Sequence, residues 1–331
     1  MYRDLVIAWY PRHWGDTTAT ELAKFLAELP PDTTGITFCG NVEVGDRMID
    51  ALGPVLPRLR HLDLTGVPIG PRGMHALAND ARANTLEVVM LGGVKTCEIR
   101  GPQPVPQDKL DPKWLALATC QLGDEGLYAL GRATQLTALR KLDLSYVDAS
   151  EATWATFARS PVVAQLECLA LGLIDIEPAT MAALCEHAVS LRALAIETQH
   201  ANENARVLAS SSLMPQIERL CLRWVRNETV EFVLDGAWPR LHALELSPML
   251  DARTIEIIAG RRGVPALRTL YLEPISQIAT GKQEIWWDWT GSEIGSSPEY
   301  ARLDDIVKSY LPHETITIRP SPPWPATWLG L

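Results

Sequence analysis

The chain has 331 residues, 47% hydrophobic and 21% charged, the composition of an ordinary globular protein. With 30 Lys+Arg against 40 Asp+Glu the formal charge is −10, and no basic run offsets it, so phosphate backbones are repelled and nucleic acid is not an expected partner. No apolar run reaches the ~20 residues that cross a bilayer. Asp4, Pro11 and Arg12 interrupt the short apolar start in a way no secretory signal does, so the expectation is a cytoplasmic protein without a membrane partner.

The predicted elements begin with DLVI at 4 to 7, GITF at 35 to 38, LRHLDL at 59 to 64 and LEVVML at 86 to 91. WLAL at 114 to 117, LRKLDL at 139 to 144, LECLAL at 166 to 171 and LRALAI at 191 to 196 follow, then IERLCL at 217 to 222, LHALEL at 241 to 246, LRTLYL at 267 to 272 and TITI at 315 to 318. Apolar residues alternate with polar or small ones in each, the period of a strand with one face in a core. The last apolar residue of each falls at 7, 38, 64, 91, 117, 144, 171, 196, 222, 246, 272 and 318, and the nine intervals from 38 to 272 all lie between 24 and 27. Helical patterns follow the strands: IGPRGMHALAN at 69 to 79 aligns with LGDEGLYALGR at 122 to 132, with Gly, Gly, Ala and Leu at shared offsets.

Two connections depart from the period. Residues 92 to 113 carry Pro102, Pro104, Pro106 and Pro112, which fix φ and remove donors, so this stretch is expected to be extended. Residues 274 to 298 contain Trp286, Trp287 and Trp289, read either as a cap over the last apolar layer or as a contact surface. A helix near 299 to 311, a final strand at 314 to 319 and a Pro-rich tail end the chain.

One strand–turn–helix unit cannot bury its apolar face alone, whereas stacked copies share a continuous core. The pattern L-x-x-L-x-L-x-x-(N/C)-x-L at about 26 residues resembles the leucine-rich repeat family, specifically its ribonuclease-inhibitor-like class and the bacterial proteins of that type, some of which are secreted effectors. LALATCQLGDEGLYAL at 115 to 130 matches it best, with Cys120 at the N/C position. The resemblance implies a single α/β solenoid over 1–331, a horseshoe with a concave parallel sheet of about twelve strands and convex helices. Residues 1–34 would form an N-terminal cap repeat, 35–273 the regular repeats, 274–298 the Trp-rich insertion and 299–331 a C-terminal cap. The N/C position holds Asn41 and Cys120 but also Val67, Val94, Val147, Ile174, Val225, Met249 and Ile275, so in those seven units the loop N–H groups need another acceptor.

In such a scaffold the non-leucine strand positions line the concave wall. The central units, among them Cys168, Ala170, Ala193 and Ala195, are small and apolar. The later ones carry Arg219, Arg223, Glu245, Tyr271 and Glu273, which either set specificity toward a protein partner or pair with one another across strands. Trp114 lies on the same wall, and aromatics recur two residues beyond the strand anchors at Trp9, Tyr146 and Trp224, on one loop edge. The expected binding surface is therefore this edge with the C-terminal strands: Trp114, Tyr146, Arg219, Arg223, Trp224, Glu245, Tyr271, Glu273, Trp286, Trp287 and Trp289. Changing Trp224 and Arg223 together to Ala is expected to abolish partner capture with the fold intact.

No catalytic constellation is complete. His61 and Asp63 share a strand face, but no Ser or Cys on an adjacent strand makes a triad, and Asp143 lies three predicted units away. Six scattered Cys (39, 97, 120, 168, 185 and 221) show no CxxC and no metal-ligand spacing, the pattern of reduced, inert thiols. The expected function is non-catalytic protein–protein recognition, with no cofactor and no metal. One alternative is an immunity or effector role against a toxin or host protein in bacterial conflict; another is an enzyme or enzyme regulator that uses Asp288 and Glu293 of the 274–298 insertion.

Overall fold

The computed structural model describes residues 5–9, 18–38, 45–92, 121–247, 264–272 and 317–320. Among the described residues, eleven strands lie side by side in chain order in one open, all-parallel sheet. They are β1 (Leu5–Trp9), β2 (Thr33–Phe38), β3 (His61–Asp63), β4 (Val88–Met90), β5 (Lys141–Asp143), β6 (Cys168–Ile174), β7 (Ala193–Thr198), β8 (Arg219–Arg223), β9 (Ala243–Ser247), β10 (Thr269–Leu272) and β11 (Thr317–Pro320). Parallel neighbours need a crossover. Helices supply most of these: α1 (Thr18–Glu28), α2 (Arg47–Leu52), α3 (Pro71–Asn79), α4 (Gly123–Gly131), α5 (Glu151–Ala158), α6 (Pro161–Gln165), α7 (Pro178–His187), α8 (Ala201–Ala209) and α9 (Asn227–Asp235). No helix among the described residues is long and apolar enough to cross a membrane.

The recurring leucines build the core between sheet and helices. Leu62, Leu64, Leu142, Leu144, Leu169, Leu171, Leu194, Ile196, Leu220, Leu222, Leu244 and Leu246 are all buried in one cluster with the inner helix faces. Each contributes about 1.5–3 kcal/mol relative to exposure, an upper bound because the unfolded chain is already partly compact. The two aligned segments at 69 to 79 and 122 to 132 are indeed the sites of helices, α3 and α4, which pack against each other. Gly126 permits the approach, since a β-carbon there would sit 3.4 Å from Pro71 Cα and 2.7 Å from Leu122 Cδ2.

The sheet corrects one expected strand. Val88 pairs directly with Lys141, and Met90 with Asp143, so no strand stands between β4 and β5. Residues 114 to 117, with Trp114, lie outside the described residues. Backbone groups at both ends of β4 already bond β5: Leu91 N–H donates to Asp143 O at 3.0 Å and Lys141 N–H to Glu87 O at 3.0 Å. Asp143 is consequently two strands from Asp63, roughly 10 Å at the usual spacing, rather than three.

The turns after β3 and β5 show how loop donors are satisfied without the expected Asn or Cys. Asp63 Oδ1 accepts from Thr65 N–H at 2.9 Å. Asp143 Oδ1 accepts in the same way from Ser145 N–H, at 2.9 Å, and from its hydroxyl at 2.6 Å, while Ser145 Oγ accepts from Gly172 N–H at 3.2 Å. Val67, Val147, Ile174 and Val225, at the N/C position, are buried in the core instead. In the Val67 and Val147 units the acceptor has moved onto the strand, which frees the loop position to pack.

A second ladder joins successive helix starts. Asp46 Oδ1 accepts from Gly70 N–H at 2.7 Å, Asp124 Oδ1 from Ser150 N–H at 2.6 Å, Glu151 Oε2 from Glu177 N–H at 3.0 Å and Asn202 Oδ1 from Arg226 N–H at 2.8 Å. Each acceptor bonds a donor 24 or 26 residues later, at the entrance to the following helix. The Ser150 N–H bond holds the Asp124 carboxyl below its ordinary range, with further lowering from the Ser150 and Thr153 side chains.

Candidate functional site

The carboxyl ends of parallel strands are where α/β sheets place ligands, because loops and helix N-termini converge there. At that edge of β5 to β8 lies an open groove of about 540 Å³. Tyr146, Leu173 and Trp224 line it from the turns after β5, within β6 and after β8. Asp148, Asp175, Glu197, Thr198 and Gln199 add its polar groups.

Tyr146, Leu173 and Trp224 share an unusual backbone. Their φ values are +64°, +49° and +67°, and Gly66, at the same offset from its anchor, has +74°. Val67 N–H donates to Leu64 O at 2.9 Å and Val147 N–H to Leu144 O at 3.2 Å, which with the left-handed third residue, Gly66 or Tyr146, is the pattern of a type II turn. The extended ladder runs through the same residue, with Gly66 N–H donating to Gly92 O at 2.9 Å and Tyr146 N–H to Gly172 O at 2.7 Å. Glycine is the inexpensive occupant; a bulky residue there costs roughly 1–2 kcal/mol. Three large side chains persist where the turn favours none, and all three face one groove.

Leu173→Gly is expected to leave stability unchanged or raise it by up to about 1 kcal/mol, through relief of the left-handed strain offset by the lost Leu contacts. Urea denaturation checks this; a loss above about 1 kcal/mol would show that the exposed Leu173 is held by packing instead.

Trp224 is 65% exposed, yet its indole is fixed: Nε1–H donates to Glu197 Oε1 at 3.0 Å. Glu197 is buried, and its Oε2 lies 3.7 Å from Arg223 Nη1. Arg223 in turn donates from Nε and Nη2 to Glu245 Oε1, at 3.1 and 2.8 Å. Neighbouring strands β7, β8 and β9 thus join an exposed aromatic to an ion triad whose members are at most 2% exposed.

This geometry revises the expected readout surface. Arg223 and Glu245 are directed at each other inside the molecule, so they do not present charges to a partner; the cross-strand pairing weighed from sequence is what the structure shows. Ala170, Ala195, Cys221 and Ala243, on the sheet face away from the helices, form a buried cluster of their own, and Val88 and Met90 another. Of the central trough expected to face solvent, Ala170, Ala193 and Ala195 are therefore buried, while Cys168 is partly exposed. Arg219 is half-buried in β8, one lane from the triad, and does not line the groove. Tyr271 is placed by strand register beside Glu245. Trp114, Glu273, Trp286, Trp287 and Trp289 lie outside the described residues.

The structure brings Tyr146 and Trp224 together as the edge reading expected, and adds Leu173, Asp148 and Asp175. The signal for these was present in the spacing. Leu173 stands two residues after its anchor, as Tyr146 and Trp224 do, and Asp148 and Asp175 each stand four after theirs. Beneath the groove, buried Asn204 donates from Nδ2 to Thr198 Oγ1 at 3.1 Å and to Ile176 O at 3.0 Å, which ties α8 to the loops that form the wall.

The described thiols belong to the packing. Burial raises the Cys168 and Cys221 thiols, the latter strongly, and pushes Cys185 up to about 11. At pH 8 each is protonated and a poor nucleophile. Iodoacetamide at that pH is expected to spare Cys185 and Cys221 in the folded protein and to label both in urea, read peptide by peptide in the mass spectrometer. Rapid native labelling of Cys221 would contradict its burial. Among the described residues no group of three His, Cys, Asp or Glu could hold a metal ion.

Compared with known proteins, the chain matches no protein-family model and no curated protein, so the chemistry of this groove is read from its own residues.

Proposed function

We propose that the protein is a non-catalytic recognition scaffold, a leucine-rich-repeat-like solenoid that takes a protein partner at the loop edge of its sheet. The observation that carries the reading is Trp224, an exposed aromatic kept in a left-handed turn and oriented by a hydrogen bond to buried Glu197. A fixed indole loses little side-chain entropy on binding, and Trp is the residue type most enriched among interface hot spots. Leu173 and Tyr146 extend the apolar contact along the same groove. The carboxylates in the groove provide the polar selectivity that a purely apolar patch lacks.

Trp224→Gly is the appropriate test, because glycine keeps the turn's backbone while deleting the anchor. A photo-crosslinking residue at position 173 is expected to capture a protein partner from the native host. Trp224→Gly is expected to weaken that capture about 30-fold, the equivalent of a hot spot of about 2 kcal/mol, with an unchanged circular dichroism spectrum. Undiminished crosslinking by the Gly variant would refute the reading.

A further inference from the structure

Resting on the reading of this groove as a partner site, we infer that its occupant is a basic, extended polypeptide segment, with Lys or Arg side chains set against Asp148 and Asp175 and an apolar side chain on Leu173.

Size comes first. The groove spans the ends of four consecutive strands, three spacings of ~4.8 Å or about 14 Å, and an extended chain advances ~3.3 Å per residue, so about four residues fit. Its volume of about 540 Å³ exceeds what one side chain fills.

Charge selects the chemistry. Three of the eleven lining residues are carboxylates, and no Lys or Arg is among them. Glu197 is already engaged by Arg223 and by the Trp224 indole, so it turns its charge inward. Asp148 and Asp175 are both exposed and stand at equivalent places in adjacent units, about one strand spacing apart. Their mutual repulsion is relieved by a bound cation and made worse by an anion. His200 Nε2 is 3.7 Å from Asp175 Oδ1, at one margin of the pair. The exposed face of Trp224 also suits a cation, in the manner that Arg206 covers Phe232 at 5.0 Å within this chain. Two exposed acids in adjacent units, with Leu173 in the same unit as Asp175, suit a segment that carries basic residues beside an apolar one. An acidic segment or a nucleic acid meets repulsion at the same points.

The test uses the full chain with 15N-labelled tryptophan, the Trp224 indole resonance being assigned by its loss in Trp224→Gly. Three probes are titrated: acetyl-Ala-Lys-Leu-Lys-Ala-amide, its Gln counterpart and its Glu counterpart. The Lys peptide is expected to move the resonance saturably, at least tenfold more tightly than the Gln peptide, while the Glu peptide leaves it in place. Asp148→Asn with Asp175→Asn, both exposed and away from the core, is expected to remove that preference, as is salt that shortens the screening length from about 10 to about 3 Å. If the Gln peptide binds as tightly as the Lys peptide, or if the double Asn variant keeps the preference, the basic-segment inference is overturned while the groove reading stands. If no peptide moves the resonance, the inference is likewise overturned, and the crosslinking result at position 173 decides separately whether the groove binds a partner at all.

Discussion

Arg223→Met is expected to destabilise the protein by about 3–5 kcal/mol, the cost of removing one partner from a buried ion pair. Arg223 is 1% exposed, with Glu245 bonded at 2.8 Å on one side and Glu197 at 3.7 Å on the other. Methionine fills much of the volume but leaves two carboxylates in the interior without the guanidinium between them. The charge, rather than the volume, then dominates the loss. Combining Arg223→Met with Glu197→Gln and Glu245→Gln is therefore expected to recover part of it, and the coupling read from urea midpoints should exceed about 1 kcal/mol. An Arg223→Met variant within about 0.5 kcal/mol of wild type, the range of ordinary surface substitutions, would show that the triad carries no such weight. The same variant frees Glu197 from its ion partner and so loosens the acceptor that orients Trp224, which makes partner capture fall along with stability. For this reason, changing Trp224 and Arg223 together to Ala is expected to cost stability as well as binding, whereas Trp224→Gly alone is expected to separate binding from folding.

The second large effect is expected at Trp238, where substitution by Ala costs about 3–5 kcal/mol. Its ring is fully buried, and Nε1–H donates to Val233 O at 2.6 Å, which satisfies a carbonyl near the end of α9. Gly236 provides the room: a β-carbon at that position would lie 3.0 Å from Trp238 Nε1 and 2.9 Å from Met214 Sδ. Trp238→Phe keeps most of the volume and loses the hydrogen bond, and is expected to cost about 1–2 kcal/mol. Thermal and urea unfolding of both variants check this. Equal losses for Phe and Ala would mean that the hydrogen bond, not the packing, holds α9 in place.

The strands were legible because burial repeats along the chain. An apolar residue, mostly leucine, at the anchor and at the position two before it fills the same layer in successive described units, so the period written in residues 36 to 246 becomes the lateral spacing of the sheet. The α3 and α4 helices were legible for the same reason, through Ala and Leu at shared offsets. Residues 114 to 117 show where that logic stops. They keep both the apolar pattern and the interval, yet β4 bonds β5 directly, because periodicity records which residues suit a strand and not which backbone groups are still open.

Half of the candidate site could be found by the same counting. Tyr146 and Trp224 stand at the same offset from their anchors; Leu173 shares that offset but carries no aromatic ring, and only its left-handed backbone sets it beside them. The meaning of Arg223 and Glu245 could not be found that way. Alternation assigns both to the face away from the helices, and an alternating pattern holds equally for a side chain in solvent and for one in an ion pair under further packing.

Residue order alone determined what is local and periodic: the strand and helix positions, their spacing, and which side chains leave each strand toward the leucine core, since all of these follow from a backbone period of two or 3.6. Tertiary structure alone decided which strands are neighbours across the 93 to 120 interval, whether the second face meets solvent, and that one guanidinium lies between two carboxylates while the indole beside it points outward. Those outcomes depend on distances between residues more than 20 positions apart, and burial and charge pairing act through space, which no local period encodes.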